Sequence, residues 1–276
     1  MLISLRPGRY KIPEITANGI QINYREKGEG FPLVLLHGLS DDLNLWNPLL
    51  PEFSARYLTI AIDVRGHGHS TKPGVPYSIS QFSGDLVAFM DKLGISRAHL
   101  LGLSMGAAIA QQFALDHPQR TGALVLLSAF QRAEGGFRPK LLELRKKLID
   151  DGVPAFFDAA VKLVVTPEFQ SAYAAAIEES KKYCIQINTA PALIRAVGAC
   201  LEFDIHERVS QISAPTLVLS GKEDVFTSNE LAWKVYHAIK GSKWTIMPGV
   251  GHNLVTPENV PPLAHAVLDF LAGFSS

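Results

Sequence analysis

Short apolar runs alternate with amphipathic stretches over most of this chain. Six runs have the length and composition of strands, at residues 32–36, 57–62, 99–103, 123–127, 215–221 and 243–247. The first of them, Pro32-Leu-Val-Leu-Leu36, contains no polar residue, which is typical of a strand buried on both faces. Strands that alternate with helices predict an α/β fold, with a mainly parallel sheet and helices on both of its faces.

The stretches between the runs predict helices by their spacing. In residues 77–93, for example, Phe82, Leu86 and Phe89 fall on one side of a helix. Further helices are expected at 43–55, from Ser104 to about 117, at 230–239 and from about 260. Near the start of the chain, residues 12–17 and 20–27 flank Asn18-Gly19, which predicts a β-hairpin with a type I′ turn.

The alternation of strands and helices stops between about residues 130 and 203. Leu141, Leu144 and Leu148 repeat at helical spacing there, and no comparable strand interrupts the segment. An ordinary crossover between parallel strands needs only one helix, so we expect residues 130–203 to form a helical cap inserted between the sixth and seventh strands. Residues 1–129 and 204–276 then form the core domain. The alternative is that these helices simply cover a face of the sheet.

The composition is that of a globular protein with one large core: 276 residues, 47% of them hydrophobic and 19% charged. Lys+Arg and Asp+Glu both number 26, so a net charge of zero gives no electrostatic signature for nucleic acid or an anionic membrane. The N-terminus lacks the apolar segment of a signal peptide and no apolar run reaches membrane-spanning length, so we expect a cytoplasmic protein. Cys184 and Cys200 match no metal-binding spacing and are interpreted as reduced, partly buried thiols.

Candidate chemistry concentrates at Gly102-Leu-Ser-Met-Gly106, between a predicted strand and a predicted helix. A strand, Gly-x-Ser-x-Gly and a helix form the context in which the serine is a nucleophile. Side chains two positions either side of Ser104 would collide in so sharp a turn, and glycine at both positions removes them. The N–H of Met105 lies at the helix N-terminus, where unpaired donors and the helix dipole favour a negative charge.

A nucleophilic serine needs an adjacent base, and the base needs an orienting carboxylate. Of the nine histidines, His252 stands on a glycine-flanked loop just past the last predicted strand. Because ligands bind beyond the carboxyl ends of parallel strands, His252 is the predicted general base.

Asp224 is the predicted orienting carboxylate, since it follows the end of the strand at 215–221. The order Ser104, Asp224, His252 is the one expected for this arrangement. Glu223 is the local alternative to Asp224. Asp63 also ends a strand, but it precedes Ser104 and is interpreted as a structural partner of the turn at Arg65.

Acyl transfer also needs two N–H donors for the oxyanion. Met105 supplies one, and the loop after residues 32–36 is expected to supply the other at Leu39, beside Gly38. His37 is either a positioning residue or a packed histidine at a strand end. His67 and His69 have a metal-like spacing, but no third ligand is near them, so they are interpreted as solvated loop residues and no metal site is predicted.

The chain resembles the α/β-hydrolase superfamily in Leu36-His-Gly-Leu39, Asp63-Val-Arg-Gly-His-Gly-His-Ser70, Gly102-Leu-Ser-Met-Gly106, Lys222-Glu-Asp224 and Gly251-His252. This resemblance implies the α/β-hydrolase fold, with a mostly parallel eight-stranded sheet, a helical cap and serine hydrolysis without metal or cofactor. Serine at position 104 disfavours the dehalogenases and epoxide hydrolases of the superfamily, which have aspartate there. Leu103 disfavours its carbon–carbon bond hydrolases, which often have asparagine at that position.

Within the superfamily, three segments are similar to 3-oxoadipate enol-lactonases and related small carboxylesterases: Gly152-Val-Pro-Ala-Phe-Phe-Asp158, Thr166-Pro-Glu-Phe169 and Ile212-Ser-Ala-Pro-Thr216. We therefore predict a hydrolase that cleaves carboxylic esters of small acyl or alcohol groups through an acyl-enzyme on Ser104. The alternatives are an enol-lactonase of a catabolic pathway, a cofactor-free haloperoxidase or perhydrolase with the same triad, and a small-molecule receptor with little or no turnover. The expected partner is a small ester or lactone, without nucleic acid or membrane, and a homodimer is left open.

The cap is expected to supply an apolar pocket. The candidate lining residues are Phe130, Phe137, Phe156 and Val161, together with His37 and Gly38 of the loop after the strand at 32–36. An enol-lactonase must also bind a substrate carboxylate, for which Arg138, Lys140 and Arg195 are candidates. The alternative for each of these three is a solvated charge on a helix.

Overall fold

The predicted strands pair into one sheet in the computed structural model, which describes residues 13–274. The strands are β1 (Glu14–Ala17), β2 (Ile20–Lys27), β3 (Pro32–Leu36), β4 (Leu58–Ile62), β5 (Ala98–Leu103), β6 (Thr121–Leu127), β7 (Thr216–Gly221) and β8 (Lys243–Met247). Within that range they form an eight-stranded sheet in the order β1-β2-β4-β3-β5-β6-β7-β8. The pairs that involve β2 are antiparallel and the other pairs are parallel. The predicted α/β fold with a mostly parallel eight-stranded sheet is therefore confirmed.

Helices cover both faces of the sheet. The helices of the described residues are α1 (Leu50–Phe53), α2 (Ile79–Lys92), α3 (Met105–Asp116), α4 (Phe137–Asp150), α5 (Gly152–Val164), α6 (Pro167–Ala172), α7 (Ala174–Ile187), α8 (Ala190–Glu202), α9 (Ser228–Ala238) and α10 (Val260–Leu271). Val34 and Leu36 of β3 belong to the apolar layer with α2, α3 and α9, whereas Leu33 and Leu35 belong to the layer with α1 and α10. Successive strand residues point to opposite faces, so an entirely apolar strand contributes side chains to the apolar layers on both faces of the sheet.

The first two strands form the predicted hairpin. Asn18 has φ +48° and Gly19 has φ +75°, and these are the two positive values that a type I′ turn requires. Residue 12 of the predicted hairpin lies outside the described residues, as do residues 1–11 and 275–276 of the predicted core domain.

The predicted helix over residues 43–55 is wrong as a continuous element. The structure has a 3₁₀ turn at Leu43–Trp46 and then the short helix α1. Pro48 explains the break, because it has no N–H to donate to the Asn44 carbonyl and its ring would clash with that carbonyl in a helix.

Between β6 and β7 the chain leaves the sheet and forms α4 to α8. We call residues 137–202 the insertion. Its two stems are paired, since Arg132 and Asp204 form an isolated antiparallel bridge and the Ile205 N–H donates to the Gln131 carbonyl over 3.0 Å. The division into a cap at 130–203 and a core domain stays a prediction. Among residues 13–274 no single helix is long and apolar enough to cross a membrane, and α7 and α8 meet that test only as a pair bent by 98°.

Candidate active site

Ser104 lies at the turn between β5 and α3. Its φ is +53°, a left-handed conformation that a non-glycine residue keeps only where the surrounding structure holds it. A Cβ at Gly102 would lie 2.3 Å from the carbonyl carbon of Gly106, and a Cβ at Gly106 would lie 2.0 Å from the Leu36 oxygen. The turn therefore tolerates no side chain at either position. Ser104 is 6% exposed and lines a cavity.

Asp224 and His252 form a buried pair at the ends of neighbouring parallel strands. Asp224 follows β7 and His252 follows β8, and the distance from His252 Nδ1 to Asp224 Oδ2 is 2.9 Å. The two residues are 6% and 4% exposed. Because an ionised carboxylate only accepts hydrogen bonds, Nδ1 carries the proton and Nε2 is left as the basic nitrogen.

Donors surround the Asp224 carboxylate on both oxygens. The Thr227 hydroxyl donates to Oδ2 over 2.7 Å, and the N–H groups of Phe226 and Thr227 donate to Oδ1 over 2.8 and 3.0 Å. Burial pushes the pKa of Asp224 up, but the His252 charge and these hydrogen bonds together hold that pKa below its ordinary value. The sequence analysis missed Thr227, although a hydroxyl residue three positions after a strand-end aspartate is a recognisable local hydrogen-bonding pattern.

Glu223, the alternative acid, is hydrogen-bonded to the loop that carries His252. Its Oε2 accepts the Val250 N–H over 3.0 Å, and its own N–H donates to the Val250 carbonyl over 3.0 Å. The end of β7 approaches this loop closely, since a Cβ at Gly221 would lie 2.0 Å from the Gly251 oxygen. These backbone contacts set the position of His252 relative to Asp224.

Ser104 and His252 line the same cavity. In the part of the chain that the structure describes, the His252 ring is hydrogen-bonded through Nδ1, to Asp224 and Thr227, and no hydrogen bond joins it to the Ser104 hydroxyl. Contacts of this kind are often long in unliganded enzymes and tighten when substrate binds. The Phe226 ring packs edge-to-face on the imidazole, with 5.0 Å between the ring centres, and restricts its orientation.

Leu39 and Met105 are the two predicted oxyanion donors. Leu39 lines the cavity together with Gly38 and Ser104, and Met105 is the first residue of α3, directly after Ser104. Neither N–H donates to another of the described residues. Both are therefore free to bind a group that develops negative charge beside Ser104.

His37 is fully buried and lies behind this loop, outside the cavity lining. Its Nε2 accepts the Val64 N–H over 3.0 Å, so Nδ1 carries the proton and donates to the Gly38 carbonyl over 2.7 Å. These contacts fit the positioning alternative for His37. They do not fit direct contact with substrate, which was also expected of this residue.

Asp63 has a structural role and bonds to the turn that contains Arg65, as expected, and it also bonds outside that turn. It accepts the N–H groups of Leu43 and His69 over 2.7 and 2.8 Å. Arg65 instead pairs with the buried Asp85, with 2.6 Å between the charged atoms. Asp63 thus ties the end of the loop that carries Leu39 to the turn after β4.

His67 corrects the expectation of a solvated loop. It is fully buried, its ring packs on that of His37 with 5.2 Å between centres, and burial lowers its pKa to about 3. His69 is exposed. In residues 13–274 no group of three or more His, Cys, Asp or Glu side chains is arranged to hold a metal ion.

The cavity is lined mainly by apolar side chains, most of them from the insertion. They are Leu103, Leu144, Phe156, Phe157, Ala160, Val161, Val164 and Phe226. The predicted Phe156 and Val161 are among them, whereas Phe130 and Phe137 are not. The Phe130 ring packs on Phe137 and Phe203 with 4.7 and 5.8 Å between centres, so these aromatic side chains fill the core beneath the insertion. Phe137 supports the site indirectly, because its ring packs on Phe226 at 5.0 Å.

The charge in this cavity differs from what an anionic substrate requires. Among its described lining residues there is no lysine or arginine, and Asp41 contributes an acidic side chain that is 7% exposed. The three candidate cations have contacts elsewhere: Arg138 with the Leu201 carbonyl, Lys140 with the Val225 carbonyl, and Arg195 with the face of the Tyr77 ring. Cys184 also lines the cavity, and burial raises the pKa of its thiol to about 11. The sequence analysis did not place Asp41 or Cys184 here, because nothing local shows which residues of a loop or a helix face a cavity.

Comparison with known proteins assigns this arrangement to a family. A sequence profile described as the alpha/beta hydrolase fold matches residues 32–257. A putative carbamate hydrolase RutD from Azorhizobium caulinodans is 26% identical over 251 residues, which cover 90% of this chain and 94% of that protein. The 3-oxoadipate enol-lactonase 2 from Acinetobacter baylyi is 27% identical over 217 residues, covering 78% and 80% of the two chains. Among solved structures, the enol-lactonase from Burkholderia xenovorans LB400 superposes with a TM-score of 0.86 at 26% identity, covering 94% of this chain and all of that one.

Proposed function

The chain belongs to the α/β-hydrolase family, and on that premise we propose that it cleaves small carboxylic esters through an acyl-enzyme on Ser104. The observation that carries the proposal is the buried His252–Asp224 pair, at 2.9 Å, on the cavity that also contains Ser104. The relatives named above are all described as hydrolases or lactonases, but their names indicate different substrates. The ester assignment therefore depends on the site itself.

The geometry supports an ordinary acyl-transfer sequence. Ser104 Oγ attacks the acyl carbon while His252 Nε2 takes its proton, and Asp224 stabilises the imidazolium that forms. The N–H groups of Leu39 and Met105 bind the oxyanion, each contributing about 3 kcal/mol to the transition state. Collapse of the tetrahedral intermediate releases the alcohol, which receives the proton from His252. A water activated by the same Nε2 then hydrolyses the acyl-enzyme.

The lining supports an acyl group that is apolar and uncharged. Aliphatic and aromatic side chains dominate the cavity, and a substrate carboxylate would find no lysine or arginine among the described lining residues. Burying a charge without a partner is costly. We therefore place short aliphatic acyl chains above dicarboxylic half-esters as substrates.

Enol-lactone hydrolysis is the second candidate, favoured by the likeness to enol-lactonases in sequence and in fold. A lactone is an internal ester, so the same residues can open it. A lactone that carries no free carboxylate suits this cavity. The acid group of a lactone of the 3-oxoadipate type would find no lysine or arginine among the described lining residues.

The proposal is tested with p-nitrophenyl acetate and p-nitrophenyl butyrate, comparing the wild-type chain with Ser104→Ala. A matched control is Ser83→Ala, which removes a buried hydroxyl from α2. We expect Ser104→Ala to lose at least about 10³-fold in kcat, as triad knockouts do, and Ser83→Ala to keep its rate. A fluorophosphonate should label Ser104, as located by peptide mass spectrometry.

Several results would contradict the proposal. Activity that survives in Ser104→Ala would remove the serine from its role. Tight ligand binding with turnover near zero would indicate a receptor. Halogenation that needs peroxide and acetate, without ester turnover, would indicate haloperoxidase chemistry on the same residues.

A further inference from the structure

The insertion is hydrogen-bonded to the loop that carries Leu39, which we call the oxyanion loop (residues 38–44). Tyr183 of α7 donates its hydroxyl to Asp42 Oδ2 over 2.7 Å. Asn188, which follows α7, donates its side-chain amide to the Ser40 carbonyl over 3.0 Å. Both acceptors lie within three residues of the Leu39 N–H.

Asp42 is the buried centre of this contact. It is fully buried, and it also accepts the Asn44 N–H over 3.0 Å and the Asn44 side-chain amide over 2.9 Å. Burial and the nearby charge of Asp63 raise the pKa of Asp42, while the hydrogen bonds from Tyr183 and Asn44 oppose that rise. Taking a donor away from a buried carboxylate leaves its desolvation uncompensated. The loop is therefore more stable when Tyr183 is docked against it.

The core and the insertion both hold the oxyanion loop. The core holds its ends, at Gly38 through His37 and at Leu43 through Asp63. The insertion holds its middle, at Ser40 and Asp42, and the Tyr183 hydroxyl also accepts the Asn44 side-chain amide at its end over 3.0 Å. Leu39 lies between the first core contact and the first insertion contact, so the direction of its N–H depends on both.

We propose that Tyr183 is a positioning residue that, through Asp42, aims the Leu39 N–H at the oxyanion, so that the oxyanion hole is complete only while α7 is docked on the loop. Tyr183 is not among the residues that line the cavity and acts through its neighbour. The inference rests on the proposed function, since it requires an oxyanion beside Ser104. It makes the insertion part of the catalytic apparatus as well as a wall of the cavity.

Tyr183→Phe tests this by removing one hydroxyl and keeping the ring. Tyr173→Phe is a matched control, because Tyr173 also bonds its hydroxyl from the insertion to a core carboxylate, that of Glu258. Those two residues line a second cleft that no residue of the oxyanion loop lines. For each variant, kcat and KM are measured with p-nitrophenyl butyrate, together with inhibition by a trifluoromethyl ketone of the same chain length, which forms an oxyanion on the serine.

We expect Tyr183→Phe to lower kcat at least about tenfold, which corresponds to about 1.4 kcal/mol, and to weaken the ketone by the same factor. KM should stay close to that of Tyr173→Phe, whose kcat should match wild type. The melting temperature should fall further in Tyr183→Phe than in Tyr173→Phe, because Asp42 is fully buried and the Glu258 contact is exposed, so the kinetics are measured well below both transitions. Asn188→Ala, which removes the hydrogen bond from the insertion to the Ser40 carbonyl, should act in the same direction.

Equal losses in Tyr183→Phe and Tyr173→Phe would overturn the inference in favour of general anchoring of the insertion. So would a fall in kcat without a change in ketone affinity, or wild-type kinetics in both Tyr183→Phe and Asn188→Ala. The failure of the proposed function would look different, because Ser104→Ala would then retain the wild-type rate.

Discussion

Asp224→Asn separates the charge and tautomer roles of Asp224 from its packing. In the native site Oδ1 accepts two backbone N–H groups, from Phe226 and Thr227. An asparagine at this position must keep its oxygen there, because an amide NH₂ would face two donors. Its NH₂ then points at His252 Nδ1, which has to become an acceptor.

The consequence is a shifted proton on the imidazole. With Nδ1 accepting, the ring proton moves to Nε2, the nitrogen that should take the proton of Ser104. A wrong tautomer in such a triad lowers kcat about 10⁴-fold, equivalent to about 5.5 kcal/mol of transition-state stabilisation. KM should change little, since Asp224 is not among the residues that line the cavity.

Steady-state kinetics with p-nitrophenyl butyrate measure the loss, and ¹⁵N chemical shifts of His252 report which nitrogen carries the proton. Glu223→Gln changes the neighbouring acid in the same way and keeps an oxygen for the Val250 N–H, so its loss should stay below about tenfold. A kcat for Asp224→Asn within tenfold of wild type, or an unchanged tautomer, would refute the reasoning.

Two further predictions concern stability. Gly106→Ala places a Cβ 2.0 Å from the Leu36 oxygen and 2.7 Å from the His37 oxygen; we expect urea unfolding to show a loss of about 3 kcal/mol or more, whereas Gly198→Ala in α8, with open space around it, should gain about 0.5–1 kcal/mol. Burial lowers the pKa of His67 from 6.5 to about 3, so below pH 6.5 the unfolded chain binds a proton that the folded chain does not. Stability should therefore fall as the pH drops from 6.5 towards 3, and His67→Gln should flatten that slope by about 1.4 kcal/mol per pH unit, measured by urea unfolding between pH 7 and 4.5; parallel slopes would contradict it.

Strands were the part of the fold best predicted from the sequence, because a short apolar run between turn residues is too short for a helix and is typical of a buried strand. β3 and β8 have the predicted limits, and β5 and β6 differ only at their first residues. The prediction of one continuous helix over residues 43–55 is wrong, because the apolar spacing there favours a helix but Pro48 interrupts it. Proline is a local signal, so this error was avoidable.

The site divides in a similar way. Ser104, Asp224 and His252 follow strand ends, so the topology brings them to one edge, and their catalytic roles stay predictions. The cavity lining was harder to predict, because it depends on which faces of the helices turn inwards. The sequence pattern that suggested Phe156 gave no reason to exclude Phe130. The contact between Tyr183 and Asp42 joins residues 141 positions apart, and no local pattern marks either of them.

The paired stems at Arg132 and Asp204 have an evolutionary meaning. The chain departs from β6 and returns to the adjacent β7 through a narrow neck, so the helices beyond it can be lengthened, shortened or exchanged without altering how those strands align. Doubling the length of such an excursion costs only about 0.6 kcal/mol of closure free energy. Exchanging the helices beyond this neck can therefore change which substrates such a fold accepts, while its reactive centre stays unchanged.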